Sequence, residues 1–339
     1  MIKIYTDKNY LNGKYRKKIF PLLFELYFLK NANLSKLFVL VDDMDECDIV
    51  IVPVNIIHLI KENRKGYLNQ FIFTAKQKNK IIWAYSGGDI GKTIDESVYV
   101  FRFGGFDTKM GGRTIILPSF ISDPYERFLK KEFKALEKEA LPAIGFVGNA
   151  NGSITSLARE MTVFLYLQLE RLTKNFYFDY QSFYPSGYKR YQLLKKIGND
   201  KRIESNFIYR EKHTTEALTE GEVKKSTLEF YENMEQNPYV FCLRGLGNFS
   251  IRFYETILMG RIPVVVDTDM RLPFPEKINW EKHCVFVKEE SMTSQLVAFH
   301  NKISNDDFKK MQVNNRNLAM NVLSSEGYFI ELYKIFKNK

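Results

Sequence analysis

The chain has 339 residues, 50 Lys and Arg against 40 Asp and Glu for a net charge of +10, and 45% hydrophobic residues. At roughly 150 residues per domain this length suits two domains, and the apolar content excludes both a disordered chain and a small stapled scaffold. Cys47, Cys242 and Cys284 form no CxxC pair, which argues against a disulfide framework or a zinc cage.

The opening MIKIYT reads as a strand and lacks the order of a signal peptide, so a cytoplasmic chain in a reducing compartment is expected. Along the first 140 residues, strands are expected at 2–6, 37–41, 49–54, 80–85, 98–103 and 114–120. Helices are expected at 15–30 and at 56–78, the second interrupted by Gly66, and the alternation implies a largely parallel sheet. Lys14, Arg16, Lys17 and Lys18 precede the apolar run 19–29. That pattern fits a solvated first turn on a core helix, with a peripheral contact to an anionic inner-membrane face as the other reading. No RNA-binding signature is present, and nucleic acid is not an expected partner.

A helix over 123–140 closes the first unit, and Pro142 then breaks the pattern. The expected domains are 1–141 and 142–322, with a C-terminal segment 323–339 packing back on the first. The second half repeats the alternation: strand 143–147, helix 154–173, strand 176–180, an unassigned stretch to about 220, and helix 222–236. Strand 239–243, helix 250–259, strands 262–267 and 284–288, helices 292–302 and 306–322, and an amphipathic segment 327–336 complete it. Two doubly wound units in series set two groups of strand C-terminal loops against each other, so the ligand site is expected in the cleft between them.

The most informative stretch is 239–280, where a buried strand, the turn RGLGNF, a helix and a second buried strand follow in order. Gly245 and Gly247 permit close backbone approach, Ser250 stands where a helix cap or its predecessor would, and free N–H groups at the helix start favour a phosphate. Arg244 and Arg252 add positive charge suited to a diphosphate. At 100° per residue, Ile251, Phe253, Tyr254, Ile257 and Leu258 share an apolar arc, with Glu255 at its edge. Glu255 has two readings: a carboxylate that accepts ribose hydroxyls, or half of an ordinary ion pair with Arg252 on a solvated face.

The run RGLGNFSIRFYE, followed by GRIPVVV and LPF…INW, resembles the C-terminal signature of exostosin-like glycosyltransferases of family GT47, in a bacterial form. DECDIVIVPV, SGGDIG, ILPSF and IGFVGNANG resemble further family segments in the family's order. The resemblance implies an α/β chain of GT-B fold, two Rossmann-like domains facing each other across a cleft. It implies inverting transfer of a sugar from a nucleotide-sugar donor, held by the second domain, to a glycan or lipid-linked acceptor held by the first, in surface polysaccharide synthesis. Carried over by position, the donor site comprises Gly148, Asn149, Arg244, Gly245, Ser250, Arg252 and Glu255.

Inverting transfer needs a base. Asp89 is the candidate, in a Gly-Gly-Asp loop just past the strand 80–85, with Asp7 after the first strand as the alternative. Asp267-Thr268-Asp269 has the spacing of a metal-holding DxD motif but directly follows a buried strand, so strand-end turn chemistry and no metal or other cofactor are expected. His58, His213, His283 and His300 lack ligand spacing, and His213 is the one that merits testing as a cleft residue. Two other functions fit parts of the pattern: a nucleotide- or glycan-binding module without catalysis, and an NAD-dependent dehydrogenase, for which Ser250 stands where a third glycine belongs.

Overall fold

The computed structural model describes residues 1–173, 177–210 and 220–338. Its strands are β1 (Ile2–Tyr5), β2 (Phe38–Val41), β3 (Ile49–Ile51), β4 (Ile81–Tyr85), β5 (Val98–Arg102), β6 (Thr114–Ile116), β7 (Ala143–Asn149), β8 (Glu204–Arg210), β9 (Tyr239–Cys242), β10 (Ile262–Val266) and β11 (Val285–Val287). The helices are α1 (Pro21–Leu23), α2 (Ala32–Ser35), α3 (Ile56–Lys61), α4 (Lys65–Gln77), α5 (Ile154–Thr173), α6 (Ser186–Gly198), α7 (Glu220–Gln236), α8 (Ile251–Leu258), α9 (Met292–Lys302), α10 (Asn305–Asn321) and α11 (Ser325–Phe336).

Two all-parallel sheets result, in the orders β2-β1-β3-β4-β5-β6 and β8-β7-β9-β10-β11. In both, the first strand lies between the second and third, so each sheet has a switch point where neighbouring connections leave in opposite directions and open a crevice. β9 and β10 are apolar along their whole length and completely buried, as strands covered on both faces must be. The C-terminal ends of the two sheets meet: the loop after β4 touches the turn after β9, and the loop after β5 pairs with the one after β10 through Phe106 and Met270. Two Rossmann-like α/β units facing each other in this way are the GT-B arrangement.

Several expected elements differ. The 15–30 helix reduces to α1 and a wide π turn, Phe24–Phe28, and its apolar run supplies core, with Ile19, Phe20, Leu22 and Leu23 buried. The break expected at Gly66 falls instead at 62–64, where Asn63 has φ +58°. The 123–140 helix is absent beyond a turn at Tyr125–Leu129, which Lys130 ends in the left-handed region with φ 53°. The following strand-like segment lies across the second unit, where the Gln312 side-chain amide both accepts from Leu136 N and donates to Leu136 O, each at 2.9 Å. Residues 177–180 are not a strand, whereas β8 and α6 occupy the unassigned stretch.

α11 packs on the first sheet. Phe336 meets Trp83 edge-on at 4.9 Å between ring centres, and the Tyr328 hydroxyl donates to Ile116 O at 2.8 Å. The three cysteines are buried and free. Among the described residues, no helix is long and apolar enough to cross a membrane.

Candidate active site

The site starts from a contact that only glycine permits. A Cβ on Gly247 would lie 1.7 Å from the carbonyl oxygen of Asp89, so the turn after β9 and the loop after β4 touch backbone to backbone across the seam. Two clamps hold the units at that spacing. The Asp269 carboxylate accepts from the Thr108 hydroxyl at 2.6 Å and from its N–H. Asp179 accepts from Arg102 Nη1 and Thr93 Oγ1, both at 2.8 Å, while its own N–H donates to Gly91 O at 2.9 Å. Asn248 ties the turn to both loops, donating to Thr268 O at 2.7 Å and Gly105 O at 3.3 Å.

The expected donor residues gather at the switch point of the second sheet. Gly148 and Asn149 end β7, Arg244 and Gly245 follow its neighbour β9, and Ser250, Arg252 and Glu255 belong to α8 or its start. Gly148 has φ +153°, and a Cβ there would sit 2.8 Å from Arg252 Nη2; its absence lets that guanidinium donate to Val147 O at 2.7 Å. Ser250 occupies the N-cap position but makes no side-chain cap bond, and among the described residues no other side chain accepts from the first N–H groups of α8. The Cβ position of Gly245 faces open space.

Arg190, from α6, is the residue that the sequence pattern does not reveal. Its Nη1 donates to Asn149 O at 2.8 Å, and its Nη2 reaches Arg244 O at 3.5 Å. Arg244 lies between Phe106 of the first unit and Tyr184 of the second, 5.2 and 4.8 Å from the ring centres, and donates to Gln181 Oε1 at 2.7 Å. Among the described residues, Arg190, Arg244 and Arg252 therefore donate only to uncharged oxygens, and each leaves a sealed Nε without a partner. Burial pulls Arg190 down to about 10, helped by the neighbouring Arg252 charge, and pulls Arg244 down to about 10 as well. None of the three makes an ion pair among the described residues, although Glu160 and Glu255 act at longer range on Arg190 and Arg252, so the cluster stays rich in positive charge.

Glu255 does not sit on a solvated face. It makes no ion pair with Arg252, and its side chain is half-buried beside the Tyr231 hydroxyl, 3.5 Å away. Burial raises its carboxyl to about 6, opposed by Arg252 and by the Tyr231 hydrogen bond. The solvated-face reading is therefore overturned. The helix arc also needs correction: Thr256 and Met259 are fully buried, and Ile251 is exposed.

Asp89 lies at the lip of the seam with its side chain open to solvent, and partial desolvation raises its carboxyl above the usual range. Asp7 is engaged elsewhere, accepting from Tyr67 at 2.9 Å and from Asn9 N. The Asp267 carboxylate closes its own turn on Asp269 N at 3.0 Å, and Asp269 serves the clamp. Among the described residues no cluster of His, Cys, Asp and Glu could hold a metal ion. His300 joins Tyr239 to Glu139 O, His283 holds Asn315, and His213 lies outside the described residues.

Fold and site together define a two-unit α/β protein with a cluster of three arginines, without ion pairs among the described residues, at the switch point of its second sheet. Residues 173–303, which contain those arginines, match the Exostosin GT47 domain. A protein of Oryza sativa subsp. japonica named a "Probable glucuronosyltransferase" is 38% identical over 63 residues, 19% of this chain and 15% of that protein. An Arabidopsis thaliana "Probable beta-1,4-xylosyltransferase" is 36% identical over 63 residues, with the same two shares. The chain thus spans only about a seventh of the length of these relatives. Among solved structures, a glycosyltransferase from Rickettsia africae ESF-5 is 12% identical, covering 98% of both chains at a TM-score of 0.40.

Proposed function

We propose that this protein is an inverting glycosyltransferase that moves a sugar from a nucleotide-sugar donor to a glycan or lipid-linked acceptor in surface polysaccharide synthesis, without a metal. The observation that carries the reading is the set of three arginines, Arg190, Arg244 and Arg252, whose Nε atoms are sealed from water and unpartnered. A nucleoside diphosphate supplies the missing negative charge and the acceptors, and its phosphates suit the uncapped start of α8. The same charges then stabilise the diphosphate as it leaves, when its negative charge grows. Glu255, one helical turn from Arg252, accepts from the ribose hydroxyls.

Asp89 removes the acceptor hydroxyl proton from the opposite side of the seam. Desolvation that raises its carboxyl makes it a better base near neutral pH than an ordinary aspartate. The Exostosin GT47 match over 173–303 supports the reaction class, and the plant relatives' names support sugar transfer.

Thermal-shift and calorimetric titration with UDP, GDP, dTDP and CMP test the reading. At least one ligand is expected to raise the melting temperature of the wild type, and Arg244→Ala or Arg252→Ala is expected to remove that response. A flat response to all four would defeat the proposal. Asp89→Asn is expected to keep nucleotide binding and lose at least about 100-fold in turnover, the scale of a positioned general base. Turnover that persists in EDTA, with an inverted anomeric product by NMR, tests the metal-free and stereochemical parts.

A further inference from the structure

Arg244 is an arginine of the second unit whose surroundings come from both units. Its guanidinium lies 5.2 Å from the ring centre of Phe106, in the loop after β5, and 4.8 Å from that of Tyr184, just before α6. Its Nη2 donates to Gln181 Oε1 at 2.7 Å and to Leu246 O at 3.0 Å, while Nη1 has no hydrogen-bond partner among the described residues. A carboxylate in the place of either ring would take up the N–H groups and neutralise the charge. An aromatic face instead holds a guanidinium through the ring quadrupole, and leaves Nη1 and the positive charge for a ligand.

The tyrosine side of this cradle belongs wholly to the second unit. The Tyr184 hydroxyl donates to Glu289 Oε1 at 3.0 Å, and Lys189 pairs with the same carboxylate at 2.7 Å, so the acid behind the ring is already matched by a cation. The phenylalanine side is brought in by the first unit and fastened to the second on both flanks. Gly105 O, just before Phe106, accepts from Asn248 Nδ2 at 3.3 Å, and Asp107 N, just after it, donates to Asp269 O at 2.8 Å. Phe106 itself forms an antiparallel bridge with Met270, and Arg271 Nη2 donates to Asp107 O at 3.1 Å. The loop reaches this far because Gly104 has no side chain: a Cβ there would lie 2.5 Å from Asn248 O. Asp107, the one acid of the loop, is paired with Arg271, and Lys109 Nζ lies 5.0 Å from the Phe106 ring centre.

We propose that Phe106 is a positioning residue for the donor diphosphate: a ring supplied by the first unit that, with Tyr184, orients Arg244 for a ligand held by the second. The inference rests on the reading of Arg244 as a diphosphate-binding residue, and it goes further in making the second unit's affinity depend on one side chain of the first. Phe106 acts through the guanidinium and touches no phosphate. Without the ring, the guanidinium regains rotational freedom, and the cost of ordering it falls on the ligand. Any apolar side chain can fill the space that Phe106 occupies, but only another ring reproduces its attraction for a cation, and this difference separates positioning from packing.

Calorimetric titration of the full chain with inorganic pyrophosphate, UDP, GDP and dTDP tests this. The wild type is expected to bind at least one of the four. Phe106→Leu, which keeps apolar bulk, is expected to bind that ligand at least about fivefold more weakly with unchanged circular dichroism. Phe106→Tyr, which keeps the ring, is expected to stay within about twofold of the wild type. Phe103→Leu is the control for seam packing, because it removes a ring that stacks on Phe249 across the same seam at 5.8 Å between centres. That variant is expected to lower the melting temperature and to leave the affinity within about twofold. Unchanged affinity in Phe106→Leu, an equal loss in Phe103→Leu, or a Phe106→Tyr variant as weak as Phe106→Leu would overturn the proposal and leave the functional reading standing. A wild type that binds none of the four would remove the reading and the proposal together.

Discussion

In the proposed function, Glu255 couples stability to ligand recognition. Its carboxyl is raised from an ordinary 4.5 to about 6, chiefly by burial, so folding disfavours the ionised form. Below about pH 4.5 the group is protonated in both states and folding carries no penalty; the penalty grows between the two values and is complete above about pH 6. Glu255→Gln is therefore expected to stabilise the ligand-free protein by about 2 kcal/mol at pH 7.5 and by almost nothing at pH 4, read by urea denaturation at the two pH values. The same change is expected to weaken nucleotide binding, and wild-type binding is expected to fall as pH drops through about 6, where Glu255 loses its charge. At this scale the sequence exposes some residues and hides others. Arg244 and Arg252 stand out because glycines and apolar runs frame them within one strand-turn-helix-strand unit. Arg190 sits in YKRYQLLKK, among lysines on a helix that reads as ordinary solvated surface, and only the packing of α6 against the ends of β7 and β9 separates it from them.

Elements follow local propensity until tertiary contacts offer their backbone better partners. The 130–142 segment is rich in Glu, Lys, Leu and Phe, yet it runs without helical bonds because Gln312 satisfies both polar groups of Leu136 and Arg261 donates to Lys134 O at 3.1 Å. Gln312→Ala leaves those groups of Leu136 unpartnered and is expected to destabilise by roughly 1–3 kcal/mol, measured by denaturant titration. β8 escapes a pattern-based reading because it is an edge strand with mostly polar, exposed side chains, unlike the uniformly buried β9 and β10. The interrupted helix pair at α3 and α4 is legible in outline, but its break depends on the left-handed Asn63 and not on Gly66. Gly247→Ala would drive a Cβ into the Asp89 carbonyl, so the turn or the facing loop must shift. The expected result is a lower melting temperature, and where nucleotide binding survives, a loss of turnover out of proportion to the loss of binding.

The alternation of strand and helix makes two parallel sheets legible, because a repeated βα pattern has few other ways to bury its strands. What the pattern does not disclose is how the sheets are fastened. That depends on Asp179, Asp269 and Asn248, three polar residues in loops where such residues are ordinary. Removing one clamp with Thr108→Val and Asp269→Asn is expected to widen the seam, visible as a larger radius of gyration in small-angle scattering that nucleotide reverses in part. The return of α11 to the first sheet has a different implication. Phe336 and Tyr328 complete the packing around Trp83 and Ile116, yet they follow the entire second unit along the chain. During synthesis, the first unit must leave the ribosome with one flank of its apolar interior uncovered, and it must wait for about 180 further residues (325 − 141 = 184) before the covering helix begins. Nascent chains stalled before residue 325 should consequently be caught by chaperones through their first unit, although that unit was made first.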